Sequence, residues 1–290
     1  MRVLVTGAKG MLGRDLCLIL AKKHEVIATD VEEMDVRDHA LVRDTVKAKR
    51  PEITVHLAGI TDVDLCEKDP DLAYSVNALG TKNVALACQA ANSALVYVST
   101  LAVFDGTKCE PYTEFDKPNP QSQYAKAKYQ GELVVRDFLE RYYVVRAGWL
   151  FGGGRQDKKF VGRIIDLARA RSELMVVNDK FGSPSYTRDL SHGILQLLET
   201  AQYGTFHVVN TGPPSSRYDI AQKILEYARI ETCALVPCSS AHFPLPAPRP
   251  RMEAGRNYNL ELMGLQLMRP WQDALKEYIE TTWTEQQDEG

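Results

Sequence analysis

A tyrosine followed four residues later by a lysine is the most specific chemical signal in the sequence. Tyr124 and Lys128 share the stretch Tyr-Ala-Lys-Ala-Lys, and none of the other tyrosines among the 13 of the chain has a lysine at this spacing. On a helix, residues four apart lie on one face, so the phenol and the ammonium can point into one site. A free phenol has a pKa of about 10, and a neighbouring ammonium lowers that pKa because it favours the phenolate. We therefore expect this pair to donate and accept a proton, although the spacing also fits a surface contact on an amphipathic helix.

A hydroxyl residue ends a predicted strand before this pair. Thr100 follows the run Val96-Tyr97-Val98-Ser99, and ligands of open α/β sheets bind beyond the carboxyl ends of the strands. A hydroxyl at this position can hydrogen-bond a reacting carbonyl and hold it against Tyr124. Thr100 is the preferred candidate, and Ser99 is the alternative.

A glycine-rich turn at the start of the chain predicts dinucleotide binding. Gly7, Gly10 and Gly13 form a G-x-x-G-x-x-G pattern, with Met11 and Leu12 inside it, between the first predicted strand and the first predicted helix. Glycines there permit a tight turn and a close approach of backbone N–H groups to a pyrophosphate, which the helix N-terminus also attracts. The alternative is a turn selected only for close packing of strand on helix.

An acidic residue at the end of the second predicted strand bears on which cofactor is used. Asp30 lies where a carboxylate would hydrogen-bond the adenosine ribose hydroxyls and repel a 2′-phosphate. NADH is therefore favoured, and NADPH is left open because Lys9 and Arg14, in and beside the glycine turn, could soften that preference. Asp35 and Val36 are weaker candidates for contact with the adenine.

The elements around these residues alternate between short apolar runs and helical patterns, which is typical of a doubly wound parallel α/β sheet of the Rossmann type. The predicted strands are Arg2–Thr6, Glu25–Thr29, Ile53–Ala58, Leu95–Ser99 and Tyr143–Arg146. The predicted helices between them are Met11–Lys22, Ala40–Lys49, Pro70–Ala91 and Ser122–Arg141. We interpret residues 1–150 as the dinucleotide-binding domain.

Residues 151–290 are interpreted mainly as a smaller substrate-binding lobe, with some segments returning to the core. The predicted helices there are Lys159–Arg171, Asp189–Thr200, Ser216–Tyr227 and Trp271–Trp283, and the predicted strands are Leu174–Val177 and Thr205–Asn210. Asp179–Thr187 is expected to be irregular, Phe243–Arg251 with its four prolines to be extended or looped, and Glu285–Gly290 to be frayed.

Composition and charge exclude several classes of partner. A net charge of -3 gives no electrostatic argument for nucleic acid or an anionic membrane, and no apolar run approaches the roughly 20 residues of a membrane helix. The six cysteines form no C-x-x-C pair, and no histidine cluster has metal-ligand spacing, so we expect no metal site. A cytoplasmic location is expected, and a homodimer is left open.

Segments along nearly the whole chain resemble the extended short-chain dehydrogenase/reductase superfamily, and within it the dTDP-4-dehydrorhamnose reductases. The segments that carry the resemblance are Leu4–Gly7, His56–Asp64, Val76–Val84, Ser99–Thr100, Val103–Gly106, Tyr124–Glu132, Arg146–Gly152, Gly182–Pro184 and Arg249–Arg251.

The resemblance implies roles for individual residues. Thr100, Tyr124 and Lys128 would be catalytic, and Asn77 would lie near the catalytic end of the sheet. The cofactor would be lined by Gly7, Gly10, Met11, Leu12, Gly13, Asp30, Asp35, Val36, Leu57, Ala58, Gly59, Tyr124 and Lys128. The nucleotide-sugar substrate would be contacted by Thr61, Val63, Asp64, Trp149, Phe160 and Arg249, with Lys159 beside them. The implied reaction is reduction of a nucleotide-linked 4-keto-6-deoxy sugar, as in dTDP-L-rhamnose biosynthesis.

One departure from the family and two rival functions stay open. The reductases usually have Asp-Tyr after the catalytic threonine, whereas this chain has Leu101-Ala102, which leaves the exact substrate open. The same pair lacks the acid and base of the related dehydratases, so dehydration is not expected. A 4-epimerase of nucleotide sugars would use the same three catalytic residues. A non-catalytic regulatory subunit, like that of methionine adenosyltransferase, is the rival of another class.

Overall fold

The computed structural model describes residues 1–154, 159–266 and 268–284. The predicted frayed end at Glu285–Gly290 lies outside these residues. Among the described residues, no helix combines the length and the apolar character that crossing a membrane requires.

A six-stranded parallel sheet forms the centre of the fold. Its strands are β1 (Arg2–Thr6), β2 (Glu25–Thr29), β3 (Ile53–His56), β4 (Ala94–Thr100), β5 (Tyr142–Ala147) and, from the second half of the chain, β10 (Gly204–His207). Their order is β10-β5-β4-β3-β1-β2, with each pair parallel. The near-continuous burial of β1, β3, β4 and β5 is typical of strands covered on both faces. The chain reverses its direction across the sheet between β1 and β3, and ligands of such sheets bind at this switch point.

Helices cover both faces, which confirms the predicted doubly wound sheet. In the first half they are α1 (Met11–Leu20), α2 (His39–Lys49), α3 (Val63–Lys68), α4 (Pro70–Tyr74), α5 (Thr81–Ala91) and α6 (Gln123–Phe138). One apolar core lies between the sheet and α1, and a second lies on the opposite face, beneath α2, α5 and α6.

The predicted helix Pro70–Ala91 is confirmed in its bounds, but it is not an α-helix throughout. A π-helical turn, Ser75–Gly80, separates α4 from α5. Within it, the side chain of Asn77 accepts a hydrogen bond from the Ile60 N–H at 2.9 Å and donates one to the Ile60 carbonyl at 3.0 Å. This wider turn places Asn77 against the loop after β3, a contact between distant residues that helical periodicity does not reveal.

The second half of the chain builds a lobe beside the carboxyl ends of the strands. Its strands besides β10 are β6 (Trp149–Phe151), β7 (Glu173–Val177), β8 (Phe181–Gly182), β9 (Pro184–Tyr186), β11 (Ser215–Ser216), β12 (Ala234–Cys238) and β13 (Met252–Glu253). Its helices are α7 (Phe160–Ala170), α8 (Thr187–Thr200), α9 (Arg217–Tyr227), α10 (Tyr258–Leu262) and α11 (Trp271–Ile279), and a π-helical turn (Glu280–Thr284) follows α11. Short sheets pair β8 with β11 and β13, β7 with β12, and β6 with β9.

One prediction for this half is corrected. The segment Asp179–Thr187 holds β8 and β9 instead of being irregular, because these short strands pair with partners distant in sequence. The predicted helix Trp271–Trp283 is confirmed, as α11 continued by the π-helical turn Glu280–Thr284.

Two elements of the second half belong to the first core. Strand β10 pairs with β5, and Leu190 and Ile194 of α8 are buried in the same apolar cluster as Leu12 and Leu16 of α1. A separate apolar cluster holds α7, α9 and α11 together. The division at residue 150 stays a prediction.

Candidate active site

The glycine-rich turn has the geometry of an anion cradle. Gly7 has a φ of +68°, and a Cβ on Gly13 would lie 2.3 Å from the Gly7 carbonyl oxygen, so side chains are excluded from both positions. Gly10 precedes α1 and makes no side-chain cap. The first N–H groups of α1 thus face the cleft with the positive end of the helix dipole, which suits a pyrophosphate.

Three carboxylates follow the end of β2 and lie beside the glycine-rich turn. Asp30 accepts hydrogen bonds from the backbone N–H of Lys9 and of Val31, both at 2.8 Å. The Lys9 ammonium lies 2.9 Å from a Glu32 oxygen and 3.0 Å from a Glu33 oxygen. The hydrogen bond that it donates to Glu32 is the main cause that raises the pKa of Lys9 to about 12. The Lys9 ammonium is therefore already paired with carboxylates.

Asp35 and Val36 each have a partner within the protein. The Asp35 carboxylate binds the Arg37 guanidinium with two contacts of 3.0 Å to Nε. Val36 is 4% exposed and lies in the core, where a Cβ on Gly80 would come within 2.7 Å of it.

Helix α6 and strand β4 bring Tyr124 and Thr100 together. The Ser122 hydroxyl caps α6 by accepting from the Ala125 N–H at 3.2 Å, which places Tyr124 in the first turn. Thr100 is the last residue of β4, and its hydroxyl accepts from the Ala102 N–H at 3.1 Å. Burial raises the pKa of Tyr124 to about 12, against the opposing effect of a side-chain hydrogen bond with Thr100.

Lys128 lies one turn deeper on the same face of α6. Its Nζ donates to the Val98 carbonyl at 2.8 Å and sits 4.1 Å from the centroid of the Tyr97 ring. Burial lowers the pKa of Lys128 to about 7, and the Glu132 carboxylate acts in the opposite direction. The pKa of Tyr124 therefore rises in this structure instead of falling as the sequence predicted, because burial dominates at the phenol.

A single cleft of about 610 Å³ joins the turn, these three residues and the C-terminal lobe. The predicted site residues that line it are Gly7, Gly10, Met11, Leu12, Gly13, Leu57, Gly59, Thr61, Val63, Thr100, Tyr124, Lys128, Trp149, Phe160 and Arg249. The predicted site residues outside its lining are Asp30, Asp35, Val36, Ala58 and Asp64. Strand β3 ends at His56, earlier than predicted, because the chain leaves the sheet there to form the wall of the cleft.

The cleft and the glycine turn together fit a bound dinucleotide. The turn would hold the pyrophosphate on backbone N–H groups, and Tyr124 and Lys128 lie farther along the same cleft. Ala58 supports this wall from behind, since its N–H donates to the Thr6 hydroxyl at 3.2 Å. In the described part of the chain, no group of three or more His, Cys, Asp or Glu side chains is arranged to hold a metal ion.

An ion pair crosses the mouth of the cleft. Arg249, in the proline-rich loop, contacts Asp64 of α3 at 3.0 Å. The same Asp64 oxygen accepts from the Ala247 N–H at 3.1 Å, and Lys180 donates to the Arg249 carbonyl at 2.7 Å. Asp64 thus does not line the cleft itself but contacts Arg249, which does.

Sequence reasoning missed three charged residues on the lobe side of the cleft, namely Lys180, Arg217 and Glu253. The Arg217 guanidinium carbon lies 3.7 Å from the ring centroid of Trp149 and 4.7 Å from that of Phe160, and burial lowers the pKa of Arg217 to about 10. Glu253 accepts from the Trp149 Nε1 at 2.6 Å, and burial raises its pKa. The only sequence signal at Arg217 is its place after the Ser216 helix cap.

Leu101 and Ala102, the two residues after Thr100 that depart from the family pattern, lie in different environments. Leu101 is 1% exposed, and a Cβ on Gly255 would come within 2.7 Å of it. Ala102 lines the cleft. The wall next to Thr100 is therefore small and apolar.

Comparison with known proteins gives consistent matches over nearly the whole chain. The family model described as the RmlD substrate binding domain matches residues 1–283. The spore coat polysaccharide biosynthesis protein SpsK of Bacillus subtilis is 35% identical over 280 residues, which cover 96% of this chain and 97% of that protein. The structure of a dTDP-4-dehydrorhamnose reductase of Clostridium acetobutylicum has a TM-score of 0.93 at 41% identity, covering 97% and 99% of the two chains. The structure of a dTDP-4-dehydrorhamnose reductase of Bacillus anthracis in complex with NADP has a TM-score of 0.93 at 38% identity, with the same coverage.

Proposed function

The chain belongs to the family of the RmlD substrate binding domain, and on that premise we propose that it is a nicotinamide-dependent reductase of a nucleotide-linked 4-keto-6-deoxy sugar. The observation that carries the proposal is the single cleft that joins the glycine turn, Tyr124 and the basic side chains of the lobe. A dinucleotide at one end and a sugar nucleotide at the other would meet beside the phenol. The relatives named dTDP-4-dehydrorhamnose reductases support this choice of substrate class.

The three catalytic candidates have distinct tasks in the proposed reaction. A bound reduced nicotinamide supplies the hydride to C4 of the sugar. With a pKa of about 12, the Tyr124 phenol is protonated at neutral pH, so it holds the proton that the carbonyl oxygen must receive. Thr100 orients that oxygen, and the Lys128 ammonium binds the nicotinamide ribose and stabilises the phenolate left behind.

The lobe offers positive charge to a diphosphate. Arg249, Arg217 and Lys180 all line the cleft, and guanidinium groups bind phosphate oxygens in pairs. The indole of Trp149 lies beside them, with the Arg217 guanidinium stacked on its ring. We assign this side of the cleft to the nucleotide part of the substrate.

NADH is the proposed preferred cofactor. Asp30 lies where the adenosine ribose is expected, and Glu32 and Glu33 hold Lys9, so a 2′-phosphate would meet carboxylates before it met a free ammonium. NADPH use is the competing outcome, since the Bacillus anthracis relative was crystallised with NADP. A cytoplasmic location and a homodimer stay predictions.

The proposal is tested by following the oxidation of NADH, and separately of NADPH, with dTDP-4-keto-L-rhamnose and related 4-keto sugar nucleotides. Turnover should fall about 10²- to 10⁴-fold in Tyr124→Phe, the range expected when a general acid is lost. Tyr203→Phe, at a tyrosine that is 41% exposed, is the matched control and should keep wild-type rates. Cofactor binding without turnover on any of these sugars would reject the reductase and favour the epimerase or the regulatory subunit.

A further inference from the structure

Helix α6 carries a third polar residue in line with Tyr124 and Lys128. Glu132 follows Lys128 by four residues, as Lys128 follows Tyr124, so the three share one face of the helix. Glu132 has no exposed surface and Lys128 is 6% exposed. Glu132 is not among the residues that line the cleft. It therefore lies directly behind the site.

Two neighbouring strands donate to this carboxylate. Arg146 Nε lies 3.0 and 3.2 Å from the two Glu132 oxygens and Nη2 lies 2.7 Å from one of them, while the Ser99 hydroxyl donates at 2.6 Å. Ser99 and Arg146 are register partners on β4 and β5. One carboxylate thus joins α6 to both strands, beside the residue that precedes Thr100.

Stability alone is a weak reason for such a cluster. Glu132 is fully buried and Arg146 is 3% exposed, so both charges have lost their hydration. The desolvation of a buried ion pair offsets most of its Coulombic attraction, and apolar residues of similar size often stabilise a core equally well. A charged cluster behind the site is therefore better explained by what it does to its neighbours.

Among the charged and titratable groups around Lys128, Glu132 is the one whose negative charge favours the ammonium. The titratable and charged groups that face Lys128 are Tyr124 and Glu132 from α6, Tyr97 from β4 and His56 from β3, with Arg146 of β5 behind Glu132. Burial lowers the pKa of His56 to about 3, so its ring is neutral. Glu132 is the group that opposes the effect of burial on Lys128.

We infer that Glu132 is a positioning residue: paired with Arg146 and hydrogen-bonded by Ser99, it holds α6 and the end of β4 in register and keeps Lys128 charged. The inference rests on the proposed function for the identity of the reaction. It also makes a prediction about cofactor binding that does not depend on turnover.

The test is Glu132→Gln, which keeps the shape of the side chain and removes its charge. NADH affinity is measured by nicotinamide fluorescence across pH, and the midpoint is the pH at which half of the affinity is lost. In Glu132→Gln this midpoint should lie about one pH unit lower than in the wild type, because Lys128 loses its proton at a lower pH. The kcat should fall about tenfold or more, since a charge-assisted hydrogen bond is lost, with NADH affinity at low pH unchanged. Glu132→Asp should restore the wild-type midpoint. Glu226→Gln, at an exposed glutamate paired with Lys223, is the control.

A folded Glu132→Gln protein with the wild-type midpoint and kcat would overturn the inference. If that variant does not fold, Ser99→Ala decides, because it removes one donor and keeps both charges; kcat should fall about three- to tenfold, and an unchanged kcat overturns the inference. If the wild type reduces no sugar nucleotide, the proposed function fails while the NADH-binding midpoint still decides the role of Glu132.

Discussion

Arg249 approaches the cleft with its charge already paired. The Asp64 oxygen that it contacts at 3.0 Å also binds the Ala247 N–H. A substrate diphosphate must draw the guanidinium away from this carboxylate. Asp64→Asn removes the competing charge but keeps an oxygen that can accept from Ala247. The variant is therefore expected to bind the sugar nucleotide more tightly than the wild type.

The size of the effect follows from the exposure of the pair. The side chains of Arg249 and Asp64 are 28% and 29% exposed, which places the interaction near the upper end of the range for surface ion pairs, about 1 kcal/mol after solvent screening. That energy corresponds to about a fivefold change in affinity. We expect a KM for the sugar nucleotide that is about two- to fivefold lower in Asp64→Asn. In Arg249→Ala it should be about tenfold higher or more, because a charge-assisted bond to phosphate is lost.

The assay is steady-state oxidation of reduced cofactor at varied sugar-nucleotide concentration, at low and at physiological salt. The KM for NADH should stay within about twofold, since the pair lies at the substrate end of the cleft. Asp71→Asn, in the exposed first turn of α4, makes the same change of charge without contact to Arg249 and should leave both KM values unchanged. The difference between Asp64→Asn and wild type should shrink at high salt.

A higher sugar-nucleotide KM in Asp64→Asn would refute this reasoning, because it would mean that the carboxylate itself binds the substrate. An unchanged KM would show that the ion pair does not compete with the diphosphate. Equal losses of substrate and cofactor binding in Arg249→Ala would assign Arg249 to the structure of the loop.

Three further predictions concern the cofactor end and the helix that carries the catalytic pair. Replacing Glu32 and Glu33 together by Gln releases Lys9. In steady-state assays this double variant should shift the ratio of the kcat/KM values for NADPH and NADH toward NADPH by about three- to tenfold. An unchanged ratio would show that these carboxylates do not set the cofactor preference. The pKa of Lys128 is about 7, below its usual 10.5, so the ammonium is present below that pH and lost above it. NADH affinity in fluorescence titrations should therefore fall between about pH 6 and pH 8.5. A flat pH profile would contradict the role of this lysine. Ser122→Ala removes the cap of α6 and should lower the free energy of unfolding in urea by about 1 kcal/mol, whereas an unchanged midpoint would mean that water replaces the cap.

Features set by short-range spacing could be predicted from the sequence. The Tyr124–Lys128 pair depends only on helical periodicity, and the glycine turn depends only on its place between β1 and α1. The predicted ends of the six sheet strands lie within three residues of the observed ones. For β1, β3, β4 and β5 the reason is that runs buried on both faces stand out against polar turns. These features suffice for the fold class and for the catalytic residues as candidates.

Features that depend on contacts between distant residues could not be predicted. The π-helical turn depends on the hydrogen bonds of Asn77 with Ile60, and the place of Arg217 depends on two aromatic rings from other elements. The pKa of Tyr124 was expected to fall and instead rises, because depth of burial is not visible in a residue pattern. The contacts of Glu132 likewise form only where β4, β5 and α6 meet.

The position of β10 at the edge of the main sheet has a consequence for biosynthesis. Strands β1 to β5 emerge from the ribosome early, but β5 remains an open edge until residue 207 follows, because β10 is its partner. An uncovered strand edge recruits other chains. A nascent chain that stalls or is cleaved between β5 and β10 therefore exposes the unpaired edge of β5, together with the apolar surface of α1 that α8 later covers. We expect chaperones to bind the chain during this interval of translation.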